Sequence, residues 1–562
     1  MSNPNNKLEI VVIGASAAGL KAACRARRLN PEANVTVLEK GEYISYAACG
    51  LPYFLLGDID GFDQLRTTPY DLLKDPEYFR TVKDVNVLIN TEVLLIDRKN
   101  KSVECREVNT DKTFNISYDY LVISTGATPV KPDIPGIDLP GVKFFTKAED
   151  AISLKKECGT GKIGTVAIIG GGYIGLELCE AFASLWGIDV TLIEAMDQLL
   201  PASIDRELSK HIEKMLVDEE INLKLNSRCV EIVEEENGLS IRTEAEKLEN
   251  LFDKVIVCIG VNPDVKLAGE AGLEIGETGG IKVDEFLTTS DDSIFSAGDC
   301  TETTHRISGD PVLIPLGSLA NRMGRTVGEN ISGKTRKFNP ILGTSVLKCF
   351  DWNIASVGLT SFQAEKAGFS PVSVWGVFED KAHYYPEPLG YYIKMIIDPS
   401  TEKILGVHVA GEGEIVRRID TAAALMQNDA VITDFIDFEP AYAPPYGGPI
   451  DSLHFLAYVA DGIINDSLKS IPPVFSGLSD DLIILDVRNT DEIEALPLPQ
   501  NTEKISIPLN ELRDRITELS ESKNYITVCQ KGIRSYEAFL ILRENSINNV
   551  LFMSGGMLFA NP

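Results

Sequence analysis

Residues 166–175 read Val166-Ala167-Ile168-Ile169-Gly170-Gly171-Gly172-Tyr173-Ile174-Gly175, a buried-strand pattern that enters a helix through a glycine-rich loop. Residues 10–19 repeat the pattern as Ile10-Val11-Val12-Ile13-Gly14-Ala15-Ser16-Ala17-Ala18-Gly19. Glycines here let the backbone approach a pyrophosphate, whose charge the N–H groups and dipole at the start of the next helix stabilise. Each stretch therefore predicts a nucleotide-binding unit.

Each stretch is followed by the acidic residue that such a unit needs. Glu39 ends the strand pattern 35–38 and Glu194 ends the pattern 189–193, both about 20 residues on, where a carboxylate binds a ribose hydroxyl. Ser16 replaces the middle glycine of the first loop. The alternative to nucleotide binding is an ordinary strand-turn-helix connection. It would readily account for one such stretch but not for two in the same chain. The residues predicted to hold nucleotides are Gly14, Ser16, Gly19, Glu39, Gly170, Gly172, Gly175 and Glu194.

Length and composition indicate a soluble protein of three or four domains, with 562 residues, 44% hydrophobic and 24% charged. No apolar run approaches the ~20 residues that a spanning helix needs, so no membrane association is predicted. Residues 1–6 lack signal-peptide features, and the ten cysteines are scattered. We expect a cytoplasmic protein and predict no metal site.

The net charge is −30, from 53 basic and 83 acidic residues, which repels nucleic acid and anionic membranes. An anionic substrate therefore needs a local positive patch. Lys21, Arg25 and Arg28 recur at helical spacing and share a face. Position alone favours an ordinary solvated face for them.

The second nucleotide unit is predicted to be inserted into the first. Strand pattern 120–123 enters Ser124-Thr125-Gly126-Ala127, and pattern 294–297 enters Gly298-Asp299, and such strand ends suit a bound nucleotide. From 331 to 462 short alternating segments predict an antiparallel sheet with helices, one face carrying Leu389, Tyr391, Ile393 and Met395. Residues 466–473, which end in two prolines, predict a linker.

Cys49 is the candidate redox residue. It lies in Ser45-Tyr46-Ala47-Ala48-Cys49-Gly50-Leu51-Pro52-Tyr53. Because Pro52 suits the first turn of a helix, we expect a helix dipole to lower the pKa of the Cys49 thiol. Ile44 and Phe54 occupy the positions that would complete a C-x4-C pair, so oxidation would give a mixed disulfide, a persulfide or a sulfenic acid. The alternative is a buried small apolar residue.

These features together resemble the flavoprotein pyridine-nucleotide disulfide reductases, and within them the single-cysteine coenzyme A-disulfide reductases. The resemblance covers residues 7–462 and rests on the stretches 45–53, 124–127, 296–299 and 442–446. It implies FAD on the first unit, with Glu39 on the ribose and Asp299 near the ribityl chain, and a nicotinamide nucleotide on the second. Lys40, Thr125, Gly126 and Gly260 complete the predicted cofactor contacts.

The resemblance also implies roles for other residues. Tyr173 would gate the flavin face, and Tyr384 and Tyr442 would reach the partner subunit's Cys49 in a homodimer. Ser45, Arg25 and Arg28 match positions that hold coenzyme A, as substrate or bound thiol, which reverses the solvated-face interpretation of the two arginines.

Two stretches depart from the family pattern and concern the substrate contacts. Residues 447–450 lack the lysine that is often found near position 450, and Glu387-Pro388 stands where a glycine is common.

Glu194 favours NADH over NADPH, because a carboxylate repels a 2′-phosphate and Ala195-Met196-Asp197 offers no compensating cation.

The C-terminal region carries a second candidate sulfur site. Strand pattern 525–528 leads into Cys529-Gln530-Lys531-Gly532-Ile533-Arg534-Ser535 and a helix. Successive backbone N–H groups of this loop would point at the sulfur, and Lys531 and Arg534 would add positive charge. We therefore predict that the loop stabilises a thiolate or a persulfide on Cys529. The C-x4-R spacing resembles the rhodanese loop, whereas tyrosine phosphatases carry C-x5-R. Residues 496–500 lack the usual rhodanese stretch, so an inactive domain is the alternative.

The predicted fold class is α/β, with two doubly wound Rossmann-like nucleotide-binding domains, an α+β dimerisation domain and a C-terminal α/β rhodanese-like domain. We expect an FAD-binding domain at 1–118 and 252–330, an NAD(P)H-binding domain at 119–251, a dimerisation domain at 331–465 and the rhodanese-like domain at 474–562.

The functional hypothesis is NADH-dependent reduction of coenzyme A persulfide, polysulfide or coenzyme A disulfide through Cys49, with Cys529 and Arg534 serving sulfur relay. One alternative is an NADH oxidase or peroxidase in which Cys49 forms a sulfenic acid. The other is a redox-sensing binding protein of low turnover. The acceptor, the direction of sulfur transfer and the subunit whose Cys529 serves Cys49 stay open at this point.

Overall fold

The computed structural model describes residues 7–465, 468–479, 481–499 and 503–560. The chain divides into two compact units, the first formed by Met1–Asp197 and Ile221–Ile341 and the second by Gln198–Glu220 and Leu342–Pro562. Within the described residues no helix is long and apolar enough to cross a membrane.

The first unit contains most of the elements up to residue 331. Its strands are β1 Glu9–Ile13, β2 Asn34–Leu38, β3 Asn86–Leu88, β4 Thr91–Asp97, β5 Ser102–Glu107, β6 Thr113–Ser117, β7 Tyr120–Ile123, β8 Ala127–Pro129, β9 Val142–Phe144, β10 Thr165–Ile169, β11 Asp189–Ile193, β12 Asn222–Lys224, β13 Cys229–Glu235, β14 Gly238–Thr243, β15 Lys254–Val257, β16 Val261–Pro263, β17 Ile294–Ser296, β18 Thr303–Thr304 and β19 Pro311–Val312. Its α-helices are α1 Ala17–Leu29, α2 Leu51–Leu56, α3 Pro76–Tyr78, α4 Ala148–Cys158, α5 Tyr173–Glu180, α7 Lys266–Glu270 and α8 Gly317–Ile331.

The second unit begins with α6 Arg206–Asp218, which follows β11 in the chain. Its strands are β20 Ser345–Cys349, β21 Trp352–Gly358, β22 Val372–Glu379, β23 Gly390–Ile397, β24 Ile404–Gly411, β25 Ser470–Ile471, β26 Leu482–Asp486, β27 Lys504–Ser506, β28 Asn524–Val528 and β29 Val550–Met553. Its further helices are α9 Ser361–Lys366, α10 Val416–Met426, α11 Ile432–Asp437, α12 Ser452–Asn465, α13 Thr490–Ala495, α14 Leu509–Leu512, α15 Ile533–Glu544 and α16 Gly556–Ala560.

Two five-stranded parallel sheets form the core of the first unit, in the orders β17-β7-β1-β2-β3 and β12-β11-β10-β15-β9. The glycine loops follow β1 and β10, central strands of the two sheets. β7 pairs with β1, and β15 pairs with β10, so the chain leaves the first sheet after residue 123 and the second after residue 257. The predicted limits 118/119 and 251/252 place each of these two strands in the other domain and are wrong there, because the sheet to which a strand belongs is set by its pairing.

Close backbone approach joins α1 to α8. A Cβ on Gly324 would lie 2.2 Å from the carbonyl oxygen of Ala18, and one on Gly328 would lie 2.6 Å from that of Ala22. Side chains at these two positions of α8 would separate the helices. This contact holds α8 against α1, the helix that follows β1 of the first sheet.

The second unit contains an antiparallel sheet, β20-β21-β24-β23-β22, and a parallel sheet, β25-β29-β28-β26-β27. In β23, Tyr391, Ile393 and Met395 are buried as predicted, whereas Leu389 precedes the strand and is 39% exposed. Helix α6 packs in this unit, where Asp205 at its amino end contacts Lys394 at 2.8 Å. Sequence position alone had placed this helix in the NAD(P)H-binding domain.

The predicted linker is partly wrong. Asp466 and Ser467 lie outside the described residues, but Ser470–Ile471 forms β25 and pairs with β29. Backbone hydrogen bonds therefore extend the last sheet almost to the two prolines at 472 and 473. The prediction of an irregular linker over 466–473 did not include this strand.

The last domain contains a fully buried ion pair. Arg488 Nη2 lies 2.7 Å from Asp486 Oδ2, and both residues are 0% exposed. Arg488 Nη1 also donates to the carbonyl oxygen of Leu496 at 2.7 Å. Removing one member of such a pair leaves an uncompensated buried charge.

We predict that Arg488→Met lowers the free energy of unfolding of this domain by about 3–5 kcal/mol. Hydrogen exchange of peptides spanning β26 and β28 in the full chain measures the loss. The control Arg513→Met removes an exposed ion pair with Glu544 and should cost less than about 1 kcal/mol. Equal exchange in the two variants would contradict a stabilising role for the buried pair.

Candidate functional site

The first glycine loop has no room for side chains. Gly14 has φ +101°, and a Cβ on it would lie 2.2 Å from the carbonyl oxygen of Ser124. A Cβ on Gly19 would lie 2.0 Å from the carbonyl oxygen of Gly14. Ser16 stands at the N-cap of α1 but makes no side-chain capping bond there, so its hydroxyl is not used by the helix.

The second loop has the same construction. Gly170 has φ +113°, and its Cβ would lie 2.5 Å from the carbonyl oxygen of Cys258, while a Cβ on Gly175 would lie 2.0 Å from that of Gly170. Gly172 is the N-cap of α5, and Tyr173 is the first residue of that helix. In both loops, therefore, glycine backbone without side chains lies at the start of a helix, an arrangement that fits a pyrophosphate.

The two acidic residues are held in the same way. Glu39 accepts N–H bonds from Ala15 and Gly41, each at 2.9 Å. Glu194 accepts N–H bonds from Gly171 at 2.6 Å and Met196 at 2.8 Å. Each carboxylate is thereby fixed beside its glycine loop and keeps lone pairs for a ribose hydroxyl.

A cavity at the carboxyl edge of the first sheet brings several predicted residues together. Its lining includes Gly14, Glu39, Lys40, Thr125 and Asp264. Thr125 Oγ1 donates to the carbonyl oxygen of Asp264 at 2.5 Å, and Lys40 Nζ lies 4.0 Å from the Asp264 carboxylate.

Gly126 and Gly260 lie where the chain crosses between the two sheets. They have φ +73° and +108°. They flank β8 and β16, which pair antiparallel.

Cys49 lies in a short 3-10 turn, Ala48–Gly50, directly before α2. The predicted position at a helix start is confirmed. A Cβ on Gly317, the first residue of α8, would lie 3.8 Å from Cys49 Sγ. The sulfur therefore also faces the amino end of α8, a contact that the sequence reasoning missed.

The predicted lowering of the Cys49 pKa is wrong. The residue is exposed, but partial desolvation of its sulfur raises the pKa, and the carboxylates of Glu177 and Asp299 raise it further. The N–H of Gly317 lowers it, without reversing the direction. Two acidic neighbours and desolvation thus outweigh the helix start.

Glu177 is a second residue that the sequence reasoning missed. Burial raises the pKa of its carboxyl to about 7 and the charge of Glu180 adds to the rise, whereas a hydrogen bond from the Tyr53 hydroxyl at 3.5 Å opposes it. Burial likewise raises the pKa of Asp299. The i, i+4 spacing of Tyr173 and Glu177 in α5 was the available signal, since it puts both on one helix face.

The residues predicted to hold coenzyme A lie near the first loop. Ser45 has φ +54°, and its N–H donates to the carbonyl oxygen of Ala15 at 3.0 Å. Arg25 pairs with Glu329, from Nη2 to Oε1 at 2.5 Å, while Arg28 is exposed. Arg325 and Arg336 lie 3.2 and 3.6 Å from the same buried carboxylate. Three guanidinium groups around one carboxylate leave a positive patch.

Tyr384 and Tyr442 meet in the second unit, where their hydroxyls lie 3.3 Å apart. Their residues are 64% and 48% exposed, and Tyr446 is 65% exposed. The structure therefore brings the two predicted tyrosines together on an aromatic surface.

Cys529 directly follows β28 and is 1% exposed. Its Sγ accepts the N–H of Gly532 at 3.1 Å and lies 3.4 Å from Ser535 Oγ. Lys531 and Arg534 are not free cations as the prediction for this loop assumed, because Lys531 pairs with Glu379 at 2.7 Å and Arg534 with Glu492 at 2.5 Å. Acidic side chains distant in sequence provide these partners.

Three protein-family models match the chain. Residues 8–323 match the pyridine nucleotide-disulphide oxidoreductase family, residues 344–451 match its dimerisation domain, and residues 476–558 match the rhodanese-like domain.

Among curated proteins, the NAD(P)H coenzyme A polysulfide/persulfide reductase of Pyrococcus horikoshii is 37% identical over 81% of this chain and 99% of its own length. The solved NAD-dependent persulfide reductase from A. fulgidus is 37% identical, with a TM-score of 0.93 over 98% of this chain and 100% of that one. The reduced Bacillus anthracis CoADR-RHD is 31% identical, with a TM-score of 0.92 over 99% of this chain and 98% of that one. The chain belongs to the pyridine nucleotide-disulphide oxidoreductase family and carries that family's dimerisation domain and a C-terminal rhodanese-like domain.

Proposed function

We propose that this chain is an NADH-dependent flavoprotein that reduces sulfane sulfur, with coenzyme A persulfide, polysulfide or coenzyme A disulfide as substrate. The observation that carries the proposal is that Cys49 is an exposed residue whose sulfur lies against the amino end of α8, in the unit that holds both glycine loops. The rhodanese-like domain supports sulfur chemistry over oxygen reduction, and the names of the relatives point to the same substrates.

The first loop fits FAD, and the second fits NADH. Proposed contacts to the flavin nucleotide are Gly14, Ser16, Gly19, Glu39, Lys40, Thr125, Gly126 and Asp299, and those to the nicotinamide nucleotide are Gly170, Gly172, Tyr173, Gly175, Glu194 and Gly260. When bound, the flavin supplies the two-electron chemistry that couples nicotinamide oxidation to cleavage of a sulfur–sulfur bond.

The protein's own contribution is a nucleophile. The Cys49 thiolate attacks one sulfur of the substrate, a new S–S bond forms to Cys49, the substrate S–S bond breaks, and the leaving thiolate takes the electron pair. The Gly317 N–H favours the thiolate, and charged Glu177 disfavours it. Because the pKa of Glu177 is about 7, this opposition weakens as the pH falls through neutrality.

The positive patch around Glu329 supports a substrate that carries phosphates. Arg25, Arg325 and Arg336 surround this carboxylate, and Arg28 lies exposed on the same helix as Arg25. A chain of net charge −30 otherwise repels anions. We assign this patch and Ser45 to the coenzyme A portion of the substrate.

We also propose that the chain forms a homodimer. The matched dimerisation domain and the exposed side chains of Tyr384, Tyr442, Tyr446 and Ile450 fit an interface between copies, since exposed apolar patches of this kind mark association surfaces. In that dimer Tyr384 and Tyr442 reach the partner subunit's Cys49.

Cys49→Ser should abolish reduction of coenzyme A disulfide and persulfide while NADH still reduces the flavin, because only the sulfur nucleophile is lost. Anaerobic stopped-flow absorbance measures the flavin step, and product thiol measures turnover. The control Cys229→Ser changes a half-buried cysteine in β13 and should keep both activities. Normal turnover by Cys49→Ser would disprove the mechanism.

Glu177→Gln should lower the pKa of Cys49, because it removes a negative charge that raises that pKa. At pH 8, where Glu177 of the native protein is charged, a Coulomb energy of about 0.6 kcal/mol makes the Cys49 thiolate about threefold more populated in the variant. Because the nucleophilicity of a thiolate falls with its pKa, alkylation of Cys49 by iodoacetamide should be about twofold faster. At pH 6 the rates should converge. Exposed Glu42→Gln is the control. A pH-independent ratio would contradict the assignment.

The protein should use NADH at least about tenfold more efficiently than NADPH, because Glu194 repels a 2′-phosphate. Glu194→Gln should lower the ratio of kcat/KM for NADH to kcat/KM for NADPH. Asp197→Asn, which changes an exposed acid three residues later, should leave this ratio unchanged. Equal use of the two nucleotides by the native protein would refute this role of Glu194.

A further inference from the structure

The cations of the Cys529 loop are balanced by carboxylates. Lys531 Nζ lies 2.7 Å from Glu379 Oε1. Arg534 donates to both oxygens of Glu492, at 2.5 and 2.8 Å. Glu379 comes from the end of β22, and Glu492 comes from α13, so distant segments of the second unit supply the opposing charges.

Two uncharged groups contact Cys529 Sγ, the N–H of Gly532 at 3.1 Å and the hydroxyl of Ser535 at 3.4 Å. The Arg534 guanidinium also interacts with Cys529. Its pKa is raised chiefly by the hydrogen bond to Glu492 and further by Cys529. Two cations and two carboxylates cancel, so a Cys529 thiolate gives the loop one net negative charge.

An incoming sulfur donor must come close to this negative charge to reach Cys529. Because Cys529 is 1% exposed, the repulsion is weakened less there than it would be in water. Thiosulfate carries two negative charges on the ion that delivers the sulfur. An organic persulfide carries at most one on its sulfur chain. The loop therefore opposes the first donor more strongly than the second.

We propose that Glu379 and Glu492 make Cys529 selective for organic persulfides and against thiosulfate. This inference rests on the proposed role of Cys529 as a sulfur carrier. The Cys529 thiolate attacks the outer sulfur of R–S–SH, the donor S–S bond breaks, and a Cys529 persulfide forms. The thiolate R–S⁻ leaves with the electron pair, so the transfer needs no external oxidant or reductant.

The test measures sulfur loading of Cys529 in the full-length holoenzyme. The protein is mixed with N-acetylcysteamine persulfide or with sodium thiosulfate, quenched by alkylation, and the Cys529 peptide is analysed by mass spectrometry for one added sulfur. The native protein should load at least about tenfold faster from the persulfide. Glu379→Gln, which frees Lys531, should raise the thiosulfate rate about threefold to tenfold, with a smaller change for the persulfide.

Glu544→Gln is the matched control, because it removes an exposed carboxylate that pairs with Arg513 in the same domain, and both of its rates should equal those of the native protein. Equal loading of native Cys529 by the two donors would overturn the selectivity. An equal acceleration of both donors in Glu379→Gln would also overturn it and would show that the ion pair controls access instead. Loading by neither donor would refute the sulfur relay as well, whereas Cys49-dependent reduction of coenzyme A disulfide reports on the proposed reductase independently.

Discussion

Backbone contacts that only glycine permits determine where the chemistry of the first unit takes place. At Gly19 and Gly175 the helix passes very close to the first glycine of its loop. A Cβ added at either position would lie 2.0 Å from the carbonyl oxygen of that glycine. Any side chain there would push the helix away from its strand. The same approach leaves the N–H groups of each helix start open to a phosphate, so packing and nucleotide binding depend on one constraint.

The site of Cys49 follows from this arrangement. Glycines also let α8 pack closely on α1, and the first residue of α8, Gly317, lies beside the sulfur. The N–H of Gly317 then stabilises a thiolate that desolvation, Glu177 and Asp299 destabilise. A thiol of raised pKa is also a stronger nucleophile once ionised, so the acidic surroundings reduce the thiolate population without removing its reactivity.

Local patterns predicted much of this from sequence. Both strand-loop-helix units, the position of Cys49 before α2 and the loop of Cys529 depend on residues adjacent in the chain, and the structure places them as expected. Long-range partners were not predictable: Glu329 for Arg25, Glu379 for Lys531 and Gly317 for Cys49 come from distant segments. Such pairings depend on tertiary packing, which periodicity and motif spacing do not encode. The pKa of Cys49 was mispredicted for this reason, since the dipole was visible in sequence and the carboxylates were not.

The covalent state of Cys49 during the reaction decides whether this cysteine is the nucleophile. Protein reduced with NADH under anaerobic conditions is mixed with coenzyme A disulfide, quenched with acid and analysed by peptide mass spectrometry. We expect a mixed disulfide between Cys49 and coenzyme A that forms and decays within the time of one turnover. Substrate turnover with Cys49 unmodified at every time point would contradict it.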